Sequence, residues 1–202
     1  KPAEKMAETV TAIKAIFDCW EGKAPLNFRG KHFTHTLMPP NFNPGPNPFG
    51  PPAVLMGALG PIMPRTAAQV ADGLLVMPFH SARHFADRTL TAVGEGLQRA
   101  GRAPGDLQII AQAMVAVART AADLTAAING VATLIAFYGS TPAYLPVLET
   151  EGWADLQPQL NAMSKVGDFA GMRALISDDM VRTIGIVGTP EECAAEIGRR
   201  FG

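Results

Sequence analysis

The stretch VLMGALGPIMPRTAAQVADGLLV, residues 54–76, decides the fold of this protein. An apolar strand around residues 53–57 passes through a glycine loop into a helix that reaches about Ala71. Asp72 and Gly73 then lead into a second apolar strand, LLVM. Strand, loop, helix and strand in this order are typical of an α/β protein. We therefore predict an α/β fold whose sheet is built from such units.

The glycine loop between the first strand and the helix is a candidate phosphate site. Gly57 and Gly60 lack a Cβ, and the start of the helix presents free N–H groups at the positive end of the helix dipole. Arg65, one turn into the helix, would add a forked donor for phosphate oxygens. The G-x-x-G spacing matches neither the dinucleotide fingerprint nor a P-loop. The pattern alone is compatible with a phosphate site and with a plain tight turn.

The segments on either side continue the α/β pattern. Residues 26–36 predict two short strands, and the run LQIIAQAMVAVA, residues 107–118, predicts one strand buried on both faces. One helical face that ends at Gly22 is predicted by the spacing of Met6, Val10, Ile13, Phe17 and Trp20. Further helices are predicted over residues 81–100, 121–137, 142–152, 155–166, 168–176 and 190–201. A capping box is predicted for the last one by Thr189, Pro190 and Glu192.

Residues 37–52 form a proline-rich insertion with seven prolines between Pro39 and Pro52. Regular helix is excluded there, because each proline ring removes a donor and restricts the residue before it. The segment is either a linker between domains or a loop over an active site. Met38, Phe42 and Phe49 give it an apolar side, which predicts a hydrophobic substrate pocket or simple anchoring of the loop.

Three of the histidines are candidate ligands for a metal or a substrate. His80 and His84 stand four residues apart, but no Glu follows His80 and no third His is within reach, so no metal site is predicted. His80 directly follows a strand, which favours a contact to substrate. His35 alternates with Phe33 on a predicted strand and faces either the pocket or solvent.

Composition excludes several functions. The chain is 48% hydrophobic, with 17 Lys and Arg against 18 Asp and Glu, and its basic residues are dispersed, so no nucleic-acid partner is expected. Two distant cysteines predict no disulfide framework and a cytoplasmic location. We see no apolar run long enough for a membrane span and no signal-peptide core, so no membrane partner is expected.

Four passages in the same order resemble the luciferase-like oxidoreductases that use coenzyme F420. The first is Met56–Pro61 with Met63, Arg65 and Ala71-Asp72-Gly73. The others are Trp20-Glu21-Gly22 ahead of Phe28-Arg29-Gly30 and His32-Phe33, then Arg99–Arg102, and then Tyr138–Tyr144 with Gly188–Glu192. The resemblance implies a TIM-type (β/α)8 barrel with its active site at the carboxyl ends of the strands. It also implies that coenzyme phosphate binds along the turn Gly57, Ala58, Leu59, Gly60, Pro61 and Ile62.

The resemblance covers only the C-terminal part of such a barrel. Lys1 is not an initiator Met, and the last helix stops where another strand is due, so we expect residues 1–202 to be a partial barrel domain that lacks its N-terminal half. The family's catalytic groups near the deazaflavin ring would lie in that half, and none is assigned here. The implied function is hydride transfer between F420 and a small organic substrate, by a homo-oligomer when full length. An FMN-dependent monooxygenase and a non-catalytic half-barrel binding module are the alternatives.

Overall fold

The structure is a computed structural model that describes residues 1–202. Its strands are β1 (Phe28–Arg29), β2 (Thr34–His35), β3 (Leu55–Ala58), β4 (Gly73–Val76), β5 (Gln108–Ala111), β6 (Val115–Val117) and β7 (Ile186–Gly188). Its helices are α1 (Pro2–Trp20), α2 (Ile62–Val70), α3 (Ala82–His84), α4 (Thr91–Ala100), α5 (Ala121–Gly139), α6 (Leu145–Thr150), α7 (Leu156–Lys165), α8 (Phe169–Ala174), α9 (Asp178–Ile184) and α10 (Pro190–Phe201). A π-helical segment, Phe85–Leu90, joins α3 to α4. The chain divides into two compact units, Lys1–Leu75 with Ala92–Ile110 and Val76–Thr91 with Ala111–Gly202.

The first unit is built on the strand order β3-β4-β5, with α1 packed on α2. Helix α2 also lies very close to α4, because a Cβ on Gly96 would collide with the carbonyl of Arg65 and lie 2.7 Å from the Cβ of Ala68. The predicted strands and helix between residues 53 and 76 are confirmed within two residues. The predicted first helix is confirmed as well, and it ends before Gly22, whose φ is +70°.

A hairpin follows α1, and the Glu8 carboxylate of that helix binds the backbone of its turn. Strands β1 and β2 pair antiparallel, with Phe28 opposite His35. The Glu8 carboxylate accepts three backbone N–H groups in the hairpin turn, from Lys31 at 3.1 Å, His32 at 2.6 Å and Phe33 at 2.7 Å. A Cβ on Gly30 would overlap this carboxylate, so any other residue there would displace Glu8 from the turn.

The proline-rich insertion contains one regular element, a 3-10 turn at Pro40–Phe42, and is otherwise irregular as predicted. Its second half packs on the C-terminal end of α1, where Phe17 and Trp20 line a small cavity with Pro44–Pro48 and Pro52. The backbone N–H of Asn47 donates to the Glu21 carboxylate at 3.0 Å. The insertion then leads into the start of β3.

The second unit surrounds helix α5, whose buried face includes Val131, Ile135 and Ala136. Helices α7, α8 and α9 pack on α5 together with strand β6. Strands β6 and β7 pair in parallel, with Val115 opposite Ile186. The predicted late helices and the capping box of Thr189 and Glu192 are confirmed. Helix α9 and strand β7 were not predicted.

One strand prediction is wrong. Residues 107–118 form two strands, β5 and β6, which belong to different sheets, instead of one strand buried on both faces. Met114 and Ala116 are buried, whereas Val115 and Val117 are 39% and 46% exposed. The mostly apolar sequence therefore hides a two-residue alternation between Met114 and Val117, because valine occupies the exposed positions there.

The expectation that no apolar segment reaches membrane-spanning length also needs correction. Helix α5 has 19 residues and is apolar enough to cross a bilayer, judged by length and composition only. The core helix of a soluble protein passes the same test, so the feature is weak evidence for a membrane span. In this structure the buried face of α5 forms part of the core of the second unit.

Candidate functional site

The residues predicted to bind coenzyme meet in one strand-to-helix turn. Strand β3 ends at Ala58, residues 59–61 turn, and α2 begins at Ile62. Gly60 adopts a φ of +70°, the left-handed region that favours glycine. No atom lies within 4 Å of a Cβ built on Gly57 or Gly60, so the backbone on this side of the turn is open.

The start of α2 offers backbone donors that no side chain uses. Pro61 is the N-cap and makes no side-chain capping hydrogen bond, and Ile62 is 58% exposed. The first N–H groups of a helix have no partner within it. Pro61 and Pro64 carry no N–H, so the donors of this first turn are Ile62 and Met63. Open space, two free amides and a positive helix end fit a phosphate group.

Arg65 is engaged away from this turn. Its guanidinium lies 2.6 Å from the Glu95 carboxylate of α4, and Arg99 approaches the same carboxylate at 3.7 Å. The Nε atom of Arg65 is buried and has no hydrogen-bond partner. Phosphate binding by Arg65 stays a prediction. A phosphate there competes with the Glu95 carboxylate for the guanidinium.

The Ala71-Asp72-Gly73 passage is structural. The Asp72 carboxylate accepts the backbone N–H of Val54 at 2.8 Å and pairs with Lys14 at 2.6 Å. Burial alone would raise the pKa of Asp72, but the hydrogen bonds from Lys14 and Val54 lower it below its usual value. Arg102 donates to the carbonyls of Ala68 and Ala71, both at 2.8 Å, and so caps the end of α2. These contacts fix the starts of β3 and β4, at the end opposite the glycine turn.

His80, the predicted substrate contact from the second unit, is 4% exposed. Its Nε2 lies 3.2 Å from the Gln112 carbonyl and its Nδ1 lies 3.4 Å from the Ser81 carbonyl. The ring packs on Phe85 and Phe201. Burial lowers the pKa of His80 below its usual value, although the two carbonyls oppose this. Which ring nitrogen donates to its carbonyl depends on the tautomer of His80. Its role in substrate binding stays a prediction.

His84 lies beside a hydrogen bond between Ser81 and Glu151 that the sequence did not predict. Ser81 caps the helix by accepting the N–H of His84 at 3.0 Å, and its hydroxyl donates to Glu151 at 2.5 Å. Burial is the main cause that lowers the pKa of His84 to about 4, followed by the charges of His80 and Arg88. Seventy residues separate Ser81 from Glu151, so no local pattern could have predicted the pair. No group of three or more metal-binding side chains is present.

The remaining predicted pocket residues lie in the first unit. His35 is half-buried and stacks on Phe28 and Phe33, with ring centroids 6.4 Å and 6.2 Å away. Met38 is half-buried, and Phe42 is 69% exposed. No contact gathers the three into one pocket, and their role in substrate binding stays a prediction.

The sequence profile of the luciferase-like monooxygenases matches residues 1–201. The chain belongs to this family. An uncharacterized protein of Mycobacterium tuberculosis is 39% identical over 199 residues, which are 98% of this chain and 58% of that protein. The 5,10-methylenetetrahydromethanopterin reductase of Archaeoglobus fulgidus is 29% identical over 98% of this chain and 56% of its own length. The chain thus spans a little over half the length of these relatives.

A solved structure supports the fold. The coenzyme F420 dependent tetrahydromethanopterin reductase from Methanopyrus kandleri superposes with a TM-score of 0.70 at 22% identity, over 95% of this chain and 53% of that one. The predicted fold class is confirmed: the chain has the α/β fold of luciferase-like barrel enzymes and covers about half of them. The end of β3 that carries the glycine turn is the carboxyl end, where barrel active sites lie.

Proposed function

We propose that the protein is an oxidoreductase that transfers a hydride between coenzyme F420 and a small organic substrate. The observation that carries the proposal is the open glycine turn at the carboxyl end of β3, with free N–H groups on Ile62 and Met63. Membership of the luciferase-like family supports it, as does a structural neighbour that is named as a coenzyme F420 dependent reductase.

Each part of the turn has a role in this proposal. Gly60 lets the backbone reach a left-handed conformation and leaves space for the ligand, and the amides of Ile62 and Met63 donate to the coenzyme phosphate. When bound, the deazaflavin supplies the carbon that carries the hydride. We assign no catalytic residue in this chain. Cytoplasmic location and homo-oligomeric assembly stay predictions.

The proposal is tested by titrating F420 into the complete protein and following its fluorescence. We expect Gly60→Val to weaken binding at least roughly tenfold, about 1.4 kcal/mol, because a branched side chain fills the space above the turn. Gly101→Val is the matched control, because Gly101 has a similar φ of +64° and an equally open Cβ position. Both variants therefore carry the same kind of backbone strain.

Equal affinities of the two variants would make the turn a purely structural feature and contradict the proposal. Gly57→Val adds bulk beside the same turn without a positive φ, so it tests the site even if Gly60→Val folds poorly. Purification with bound FMN, and no affinity for F420, would favour the flavin-dependent alternative. Binding of neither coenzyme would favour a non-catalytic module.

A further inference from the structure

In the first unit, helix α4 approaches α2 closely enough to exclude a side chain between them. A Cβ on Gly96 of α4 would lie 2.3 Å from the carbonyl oxygen of Arg65 and 2.7 Å from the Cβ of Ala68, both in α2. Gly96 and Ala68 are both buried. The side chains at a helix crossing set the distance between the two axes. This crossing therefore depends on the missing side chain of Gly96.

The backbone of α4 does not require this glycine. Gly96 lies within a ten-residue helix and has no positive φ, so alanine would fit its conformation and favour the helix. Gly94, two residues earlier, is exposed, and a Cβ built on it meets no atom within 4 Å. Of the two glycines in α4, Gly96 is thus the one whose side-chain space is taken by α2.

Two further contacts hold α2 in place from the same side. Glu95, on α4, pairs with the Arg65 guanidinium at 2.6 Å. Arg102, just after α4, donates to the carbonyls of Ala68 and Ala71, both at 2.8 Å. These contacts follow α2 from its second turn to its end. Helix α4 and the residues after it therefore fix the position of α2.

The position of α2 decides where its free amides lie. Ile62 and Met63 begin this helix, and Arg65 follows within one turn. Because each turn of an α-helix is hydrogen-bonded to the next, a helix of nine residues shifts as one body. A displacement at Arg65 is therefore passed on to the two amides. A binding site must hold its groups within about 0.5 Å of the geometry that its ligand needs.

A methyl group at Gly96 would exceed this tolerance. C–H···O contacts between helices lie at about 3.3–3.6 Å, so a Cβ now 2.3 Å from the Arg65 carbonyl oxygen would part the helices by roughly 1 Å. We propose that Gly96 is a positioning residue for phosphate binding, because its missing side chain lets α4 set the start of α2 against the phosphate. That F420 carries this phosphate rests on the proposed function above; the positioning of the turn does not.

The test titrates inorganic phosphate and F420 separately into the complete protein with isotope-labelled amides. We expect phosphate to shift the amide resonances of Ile62 and Met63 saturably. In Gly96→Ala we expect both ligands to bind at least roughly tenfold more weakly, the loss of about one charge-assisted hydrogen bond. Silent amides in the wild type, or unchanged affinity for phosphate in Gly96→Ala, would overturn the proposal.

Gly94→Ala is the matched control. It makes the same substitution in the same helix, at an exposed position with free space. It gives α4 the same gain in helix propensity without reaching α2, so we expect wild-type affinity for phosphate and F420. An equal loss of affinity in Gly94→Ala and Gly96→Ala would assign the effect to α4 itself and contradict the proposal.

A phosphate-free fragment of the coenzyme, the deazaflavin ring with its sugar-alcohol chain, separates positioning from a general loosening of the fold. We expect Gly96→Ala to weaken F420 binding at least roughly tenfold more than binding of this fragment, because the fragment has no phosphate for the displaced amides. Equal weakening of F420 and the fragment would show a merely structural role for Gly96.

Ala68→Ser adds one atom to the same crossing from the side of α2, and it tests the contact if Gly96→Ala does not fold. We expect a weaker loss of phosphate affinity of the same kind, and no loss would overturn the proposal. The two ligands also separate the two proposals. Phosphate binding that depends on Gly96, without F420 binding, overturns the proposed function alone. F420 binding that Gly96→Ala leaves unchanged overturns the positioning role alone.

Discussion

The guanidinium of Arg65 lies 2.6 Å from the carboxylate of Glu95, so a cation one turn beyond the glycine turn is already paired. Both side chains are partly exposed, at 26% and 42%. Ion pairs of this exposure contribute roughly 0–1 kcal/mol to stability. Arg65 can therefore leave Glu95 and bind a phosphate at little energetic cost.

We expect Arg65→Ala to weaken F420 binding about tenfold, the lower end for a charge-assisted hydrogen bond of roughly 1.5–3 kcal/mol. Glu95→Ala should leave the affinity unchanged or raise it, because it frees the guanidinium. Fluorescence titration of both variants checks this. Unchanged affinity in Arg65→Ala would assign the side chain to the ion pair alone.

The hairpin β1–β2 depends on the Glu8 carboxylate. We expect Glu8→Gln to lower the hydrogen-exchange protection of the Lys31, His32 and Phe33 amides, because an amide side chain has one acceptor oxygen and directs its NH2 group at further donors. Glu4→Gln is the control, since Glu4 contacts the Lys31 side chain and none of these amides. Equal protection in both variants would contradict the prediction.

The same carboxylate predicts a pH dependence. Burial would raise the pKa of Glu8, but three backbone N–H donors lower it below 4.5. A carboxyl group with a lowered folded pKa stabilises the fold above its ordinary pKa and loses that contribution as the pH falls through the folded value. Protection of the hairpin amides, measured by NMR, should therefore be constant above pH 4.5 and fall below it.

His84 predicts a second pH dependence. Its folded pKa is about 4, below the ordinary 6.5, so the unfolded chain binds a proton more readily than the folded one between these values. The free energy of unfolding should then fall by up to about 3 kcal/mol as the pH drops from 6.5 to 4. Denaturant unfolding at several pH values measures this. His84→Met should flatten the decline, and an unchanged slope would assign the decline to other groups.

Arg200 predicts a stability effect in the second unit. Its guanidinium donates to the carbonyls of Gly185 at 3.1 Å and Arg182 at 3.2 Å, at the end of α9, and pairs with Glu196 at 2.6 Å. Its side chain is 8% exposed. We expect Arg200→Ala to lower the free energy of unfolding by about 2 kcal/mol, because the partly buried Gly185 carbonyl at the end of α9 loses its charged donor.

Arg199→Ala is the matched control, because Arg199 pairs with the same Glu196 but is 66% exposed. Its loss should cost less than about 1 kcal/mol. Denaturant midpoints of the two variants give the comparison. Equal losses would show that the pairing with Glu196, and not the contact to α9, carries the effect.

Local features of the sequence determined much of this protein. The strand, glycine turn and helix between residues 54 and 76, the first helix and the capping box at Thr189 depend on neighbouring residues, so their patterns can be recognised in the chain itself. The order of four such passages also identified the family, which the match over residues 1–201 confirms.

Tertiary structure decided what depends on distant partners. Residues 107–118 divide into β5 and β6 because they pair with different strands, a choice that an apolar run does not encode. The Glu8 carboxylate accepts the Lys31 amide across 23 residues, Glu151 accepts the Ser81 hydroxyl across 70, and Glu95 pairs with Arg65 across 30. Contacts at such separation arise only when packing brings the elements together. The sequence therefore located the glycine turn, and the structure showed that the amides of Ile62 and Met63 are free whereas Arg65 is paired with Glu95.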